Sequence, residues 1–199
     1  VAEAVIGAVV LAAGRSTRMG EGLNKLLLPV DGVPMVRRTV GRVIAAGAAP
    51  VVVVTGHDAG VVRAALDGAP VTFAESPDPG GPTSGSLHAG LAALPAEVTG
   101  ALVMLADMVH VTDSMLRAVH DRLAAGDAPL VVSLYGDVEA PPLGFARPLW
   151  PELLAWHGEG CGKAVVRAHR AQAAVLPWPA ERLADVDTPD DYAALTTPR

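Results

Sequence analysis

The chain has 199 residues, 51% hydrophobic and only 4% aromatic, with a formal net charge of −6. That length suits one domain, 1–199, with room for a proper core, and the acidic balance argues against a nucleic-acid partner unless a basic patch is segregated. A core drawn from Ala, Val and Leu favours a sheet covered by helices over a small aromatic-rich barrel.

The single cysteine, Cys161, excludes an intramolecular disulfide and is consistent with a reducing compartment. The longest apolar runs, such as Ala8 to Ala13 and Val51 to Val54, fall well short of the roughly 20 residues of a membrane span. No basic segment precedes an apolar one at the N-terminus, so no signal peptide is read and a cytoplasmic protein without a membrane partner is expected.

Taken in chain order, Val5–Leu11 is a continuous apolar run, as expected of a strand covered on both faces. A basic loop follows. Asp31-Gly32 makes a turn, and Pro34 can open a helix in which Met35, Val36, Val40, Val43 and Ile44 recur at helical spacing until Gly47. Pro50–Thr55 is a second buried strand, followed by a helix over 60–66 and a short strand, Val71–Ala74. Residues 76–84 form a Pro/Gly-rich loop before a helix over Leu87–Leu94. Ala101–Leu105 is a strand that delivers Asp107 just beyond its end, and Thr112 caps a helix running to Leu123. Leu130–Tyr135 is a strand, followed by a loop holding Gly136 and Pro141-Pro142. Two short helices, Leu149–Trp156 and Lys163–His169, flank a glycine loop. Ala173–Leu176 is the last strand, and Thr188-Pro189-Asp190-Asp191 is an acidic capping box that starts a C-terminal helix. This alternation predicts a mostly parallel α/β sheet with right-handed crossovers. Ligands of such sheets sit outside the carboxyl ends of the strands, where the basic loop, Gly56-His57, Asp107, Tyr135-Gly136 and Asp185-Val186-Asp187 all fall.

The basic loop begins Leu11-Ala12-Ala13-Gly14-Arg15-Ser16-Thr17-Arg18-Met19-Gly20 and continues to Asn24-Lys25-Leu26-Leu27-Leu28-Pro29. A buried strand ending in a Gly-led loop with three cations, Arg15, Arg18 and Lys25, is a phosphate cradle: backbone N–H groups approach phosphate oxygens and the cations neutralise them. Neither the P-loop nor the dinucleotide fingerprint is present in it.

This stretch resembles the signature of nucleotidyltransferases of the nucleotide-sugar pyrophosphorylase superfamily, and most of all the molybdenum cofactor cytidylyltransferases and their guanylyl-transferring cousins. The resemblance implies a three-layer, Rossmann-like nucleotide-diphospho-sugar transferase fold with a mostly parallel central sheet. It implies a magnesium-dependent enzyme that moves a nucleoside monophosphate from a nucleoside triphosphate to a phosphorylated small molecule. Leu-Ala-Asp-Met at 105–108 resembles the family's metal-binding Gly-Asp-Met, with Ala106 in place of Gly and Val109 where Pro is usual. Asp185-Val186-Asp187-Thr188-Pro189-Asp190-Asp191 matches its closing motif.

By resemblance, Asp107 and Asp187 hold the metal, and Arg18 and Lys25 serve catalysis with them. The nucleotide lies on Leu11, Ala12, Ala13, Gly14, Arg15, Ser16 and Lys25, with Ser84 and Ser86 at the base. The Leu-Ala-Ala-Gly form accompanies cytidylyl transfer, which points to CTP. The implied acceptor is molybdopterin, with a molybdoenzyme as eventual recipient of the cofactor. His57 fits a family Gly-His but reads as structural. Gly158-Glu159-Gly160-Cys161-Gly162-Lys163 resembles a family glycine loop, and no His/Asp arrangement makes Cys161 a nucleophile. The acceptor side departs most, since Ala140-Pro141-Pro142 stands where relatives carry a Gly, a polar residue and Pro. A sugar- or polyol-phosphate nucleotidyltransferase and a non-catalytic nucleotide or cofactor carrier are the rival readings. An oxidoreductase lacks its dinucleotide fingerprint.

Overall fold

The computed structural model describes residues 4–14, 23–160, 162–184, 186 and 188–196. Among them, β1 (Ile6–Ala12), β4 (Val51–Thr55), β5 (Val71–Glu75), β6 (Gly100–Leu105), β7 (Leu130–Tyr135), β8 (Val138–Ala146) and β9 (Ala173–Trp178) form one sheet in the order β5-β4-β1-β6-β8-β7-β9. The pairs β4–β5, β1–β4, β1–β6 and β7–β9 are parallel, and only β8 runs against its neighbours β6 and β7. A two-stranded ribbon of β2 (Pro29–Val30) and β3 (Val33–Pro34) stands apart. The mostly parallel sheet expected from the strand–helix alternation is present.

Alternation of side chains along each strand builds two cores from one sheet. Ala8, Val10 and Ala12 of β1, Val51 and Val53 of β4, and Leu102 and Met104 of β6 face α1 (Met35–Ala45), α2 (Ala59–Ala65) and α4 (Asp113–Ala124). Val9 and Leu11, Val52 and Val54, and Ala101 and Val103 face α3 (Thr83–Ala92), α5 (Trp150–Ala155) and α6 (Lys163–Ala168). Both faces are dry, which is why the strands read as unbroken apolar runs. On the second face α3 lies so close to β1 that a Cβ on Gly90 would stand 2.3 Å from Val9 Cγ1.

Two expectations need correction. Residues 138–146 are not loop but the strand β8, hairpinned to β7 through a turn in which Gly136 has φ of 59°. Prolines lack the N–H a ladder needs, and the pairing accommodates them by a bulge: Val132 pairs with Leu143 and Ser133 with Ala140, leaving Pro141 and Pro142 between. Their carbonyls are satisfied by side chains of β7, with Ser133 Oγ donating to Pro142 O at 2.7 Å and Tyr135 Oη to Pro141 O at 2.8 Å. The second correction is that α3 begins at Thr83, not Leu87. Thr, Ser and Gly are weak helix formers, but the Glu159 carboxylate, from a loop 76 residues away, accepts from Thr83 N and Thr83 Oγ1 and caps that first turn.

The expected caps elsewhere are present. Thr112 Oγ1 accepts from Met115 N at 3.3 Å. Thr188 and Asp191 cap each other ahead of α7 (Pro189–Thr196), with Asp191 Oδ2 accepting from Thr188 N and Thr188 Oγ1 from Asp191 N. No helix among the described residues is long and apolar enough to cross a membrane.

Candidate active site

At the carboxyl ends of β1 and β6 a cleft of about 190 Å³ opens between Leu11-Ala12-Ala13-Gly14, Lys25 and Leu26, Gly80, Gly81, Thr83 and Ser86, and Leu105 and Asp107. Seven of the residues singled out for the nucleotide and the metal therefore converge: Leu11, Ala12, Ala13, Gly14, Lys25, Ser86 and Asp107. Lys25 Nζ lies 2.6 Å from Asp107 Oδ2, and the two side chains are only 12% and 21% exposed. A charge-assisted contact in so sheltered a place is held firmly.

Local structure explains how each group arrives there. Lys25 opens a single 3-10 turn, Lys25–Leu27, capped by Asn24, whose Oδ1 accepts from Leu26 N at 3.0 Å. The Asn24 amide also donates to Asp58 Oδ2 at 3.0 Å, tying that turn to the head of α2. Glycine is required at 56: a Cβ there would stand 2.6 Å from Ala13 O and 2.9 Å from Ala13 Cα. That close approach of the β4 end to the cradle admits no side chain.

Asp107 sits in a buried loop. Ala106 N donates to Leu11 O at 3.0 Å, and Val109 N to Asp107 O at 2.9 Å, a bond that a proline at 109 could not make. From α1, Thr39 Oγ1 donates to Ala106 O at 2.9 Å, and Arg42 Nη1 to Val109 O and Val111 O at 2.8 and 2.7 Å. An unsatisfied buried carbonyl costs about 1–3 kcal/mol, so these side chains hold a loop that has no ladder of its own. Burial lowers the pKa of Arg42, with the neighbouring Arg38 acting the same way. Burial also lowers that of His110, and the nearby Arg182 and Arg42 guanidinium groups add to it.

Not every expected residue lies in the cleft. Ser84 is buried and spends its groups on the glycine loop, its N donating to Gly158 O and its Oγ accepting from Gly158 N, both at 3.0 Å. It does not line the cleft. Ser86 lines it while its Oγ donates to Ser76 Oγ at 2.9 Å. His57 is exposed. Arg15, Ser16, Arg18, Cys161, Asp185 and Asp187 lie outside the described residues.

A second, larger cavity of about 780 Å³ shares Leu105 with the first. The β7–β8 hairpin walls it on one side, through Leu134 and 137–141. Lys163, Val166 and Arg167 of α6, with Arg170, wall it on the other. Arg170 Nε is paired with Glu139 Oε1 at 2.5 Å. The sequence signal for these three cations is their spacing of four and three residues along a helical segment, which puts them on one face.

Residues 8–174 match the family of the MobA-like NTP transferase domain. The chain belongs to that family. It is 37% identical over 142 residues to the bifunctional protein GlmU of Sphingopyxis alaskensis, covering 71% of this chain and 31% of that protein. The chain thus spans about a third of the length of the curated relatives it matches. Among solved structures, Rv0371c of Mycobacterium tuberculosis superposes with a TM-score of 0.85 at 31% identity, covering 98% of both chains. A complex of Rv0371c with manganese gives 0.72 at 32% identity, covering 96% of this chain and 97% of that one. This is a nucleotidyltransferase fold, and the family uses a nucleoside triphosphate and a phosphorylated acceptor.

Proposed function

We propose that the protein transfers a nucleoside monophosphate, preferentially CMP from CTP, to the phosphate of molybdopterin, releasing pyrophosphate. A molybdoenzyme would then receive the cofactor. The observation that carries this reading is the junction of two cavities at Leu105. One presents the strand-end cradle with Lys25 and Asp107, and the other the cations Lys163, Arg167 and Arg170 across from Asp137 and Glu139, the last of these paired with Arg170. Two phosphorylated reactants can thus meet next to one carboxylate.

In the proposed reaction an acceptor phosphate oxygen attacks the α-phosphorus in line. A new O–P bond forms as the bond from the α-phosphorus to the bridging oxygen breaks, and the electron pair leaves on pyrophosphate. The chain's contribution is positioning and electrostatics. Lys25, with Arg15 and Arg18, stabilises charge on the leaving pyrophosphate, while the N–H groups of Ala13 and Gly14, just beyond the end of β1, orient the triphosphate. Asp107 fits magnesium, which takes one or two carboxylates and completes its shell with water and phosphate oxygens; Asp187 is the second expected ligand. When bound there it would neutralise the phosphate oxygens and polarise the α-phosphoryl group.

CTP is favoured over GTP because Ala13, a cleft-lining residue, adds a methyl group where the chain turns toward the nucleotide. A change of that size alters affinity by roughly 10- to 200-fold, so a preference is expected and not exclusion. Calorimetry with CTP and GTP, each with magnesium, decides it: equal affinities or tighter GTP would sink the preference. Pyrophosphate release from CTP and magnesium that depends on added molybdopterin tests the acceptor. Lys163, Arg167 and Arg170 would suit a sugar or polyol phosphate equally, and release that responds to one of those phosphates instead would reassign the acceptor. No release with any acceptor, with triphosphate still bound, would return the protein to a carrier role.

A further inference from the structure

The loop that carries Asp107 is bounded by two peptide planes, and each has an identifiable anchor. The plane joining Ala106 to Asp107 is held through its carbonyl by Thr39 Oγ1 at 2.9 Å. The plane joining Asp107 to Met108 is held through its carbonyl by Val109 N at 2.9 Å. Val109 is itself fixed one atom group later, by the bond from Arg42 Nη1 to its carbonyl at 2.8 Å, and the same nitrogen reaches Val111 O at 2.7 Å. Because a peptide unit is planar, fixing the two planes around a Cα fixes that residue's two soft dihedrals and hence the direction in which its Cα–Cβ bond leaves the backbone, while Lys25 Nζ meets the carboxylate itself at 2.6 Å.

The anchors are well placed for this. Thr39 and Arg42 are three residues apart on α1, so they project from one face of the helix. Thr39 is 2% exposed and the Arg42 side chain 22% exposed. Arg42 Nε also lies 3.4 Å from Asp113 Oδ1 at the start of α4, which braces the guanidinium against rotation. The rest of the loop is apolar and buried at Ala106, Met108, Val109 and Val111. Asp107 is the residue of this stretch that reaches the cleft.

We propose that Thr39 and Arg42 are positioning residues for Asp107: acting from α1, on the far side of the loop, they set the angle at which its carboxylate meets the metal and the triphosphate. Neither lines the cleft. Their effect passes through the peptide planes on either side of Asp107. The proposal rests on the donor-site reading given above.

The test measures equilibrium binding of Mn²⁺ in the presence of whichever of the four ribonucleoside triphosphates shifts the wild-type melting temperature most. Free Mn²⁺ is followed by electron paramagnetic resonance, with thermal unfolding recorded alongside. Thr39→Val keeps the volume and removes the donor. It should raise the half-saturating Mn²⁺ concentration about tenfold, with Thr39→Ser restoring it, and Arg42→Gln should move it in the same direction. A purely structural bond would lower the melting temperature and leave the metal term unchanged, since only folded protein reports the binding. Wild-type Mn²⁺ affinity in folded Thr39→Val and Arg42→Gln, with Asp107→Asn clearly weakened, would overturn the positioning role and leave the donor-site reading standing. If Asp107→Asn also binds like wild type, or no triphosphate binds at all, the donor-site reading falls and this inference with it. Should Arg42→Gln fail to fold, the Thr39→Val and Thr39→Ser pair decides alone.

Discussion

The donor cleft is assembled from the ends of β1 and β6, strands paired in parallel over six residues each, together with the first turn of α3 and the turn bearing Lys25. The larger cavity beside it is walled by a hairpin whose ladder breaks at Pro141 and Pro142 and by a helix of six residues, α6. In the first, the parallel ladder holds Leu11, Ala12 and Leu105 at the centre of the sheet, and side chains of Thr39, Arg42, Asn24 and Glu159 fix the loops and turns beside them. In the second, two hydroxyls, Ser133 and Tyr135, do work that a ladder would otherwise do. Phosphate geometry is the same for every triphosphate, so a rigid backbone cradle serves it. Under the proposed function the second cavity would take the acceptor, and a wall supported by side chains can change by single substitutions without disturbing the sheet. On the proposed function, the shared phosphate chemistry would lie at β1 and β6 and acceptor specificity at β7, β8 and α6.

The largest effect that would test this division is at the donor carboxylate. Asp107→Asn is expected to reduce metal-dependent pyrophosphate release by about 10²–10³-fold, the scale of removing one preorganised electrostatic group, and to lower the melting temperature because the sheltered Lys25 loses its carboxylate. Asp187→Asn is expected to reduce that release likewise. Full turnover in both variants, measured with a coupled pyrophosphate assay, would remove the metal assignment. Next in size, Lys25→Ala should weaken triphosphate binding by about 1.5–3 kcal/mol, the worth of a hydrogen bond to a charged group. The fold should survive, and an unchanged calorimetric titration would make the Lys25–Asp107 pair a structural one.

Tyr135→Phe sharpens the contrast from the other side. It leaves the buried Pro141 carbonyl without its donor, at a cost of about 1–3 kcal/mol in denaturant-measured stability. It should raise the acceptor KM while triphosphate affinity stays at the wild-type value. A parallel loss of triphosphate affinity would show that the two cavities are not separately supported.

The smallest effect is a pH dependence at the Asp107 loop. His110 has its pKa lowered in the folded protein by burial, then by Arg182 and Arg42, from an ordinary 6.5. Well above 6.5 the imidazole is neutral in both states and contributes no pH dependence. As pH falls below 6.5 the unfolded chain takes up a proton that the folded chain does not, so stability declines until the folded-state pKa is passed. His110→Gln should flatten that part of the melting-temperature profile, and an unaltered slope would assign the decline to other groups.

Much of the cleft at the ends of β1 and β6 is legible in the sequence, because its signals are local. A β-branched run ending at Gly14, a lysine after Asn24 and an aspartate two residues beyond a strand each announce themselves within a few residues, and parallel strands bring strand ends together at one edge of the sheet. The capping pairs at Thr112 and at Thr188 with Asp191 were legible for the same reason. What the sequence could not reveal depended on partners far along the chain. Pro141-Pro142 reads as a loop because the hydroxyls that satisfy their carbonyls sit on another strand. The first turn of α3 reads as coil because its cap, Glu159, is 76 residues away. Ser84 reads as a base contact although its groups are taken by Gly158. Thr39 and Arg42 read as one more turn of an amphipathic helix, and only packing α1 against the β6–α4 loop gives their donors the carbonyls of Ala106, Val109 and Val111. Short-range patterning and propensity thus determined the elements and the strand-end chemistry. Tertiary contact decided where buried polar groups find their partners, since hydrogen bonds between distant segments leave no periodic trace in the sequence.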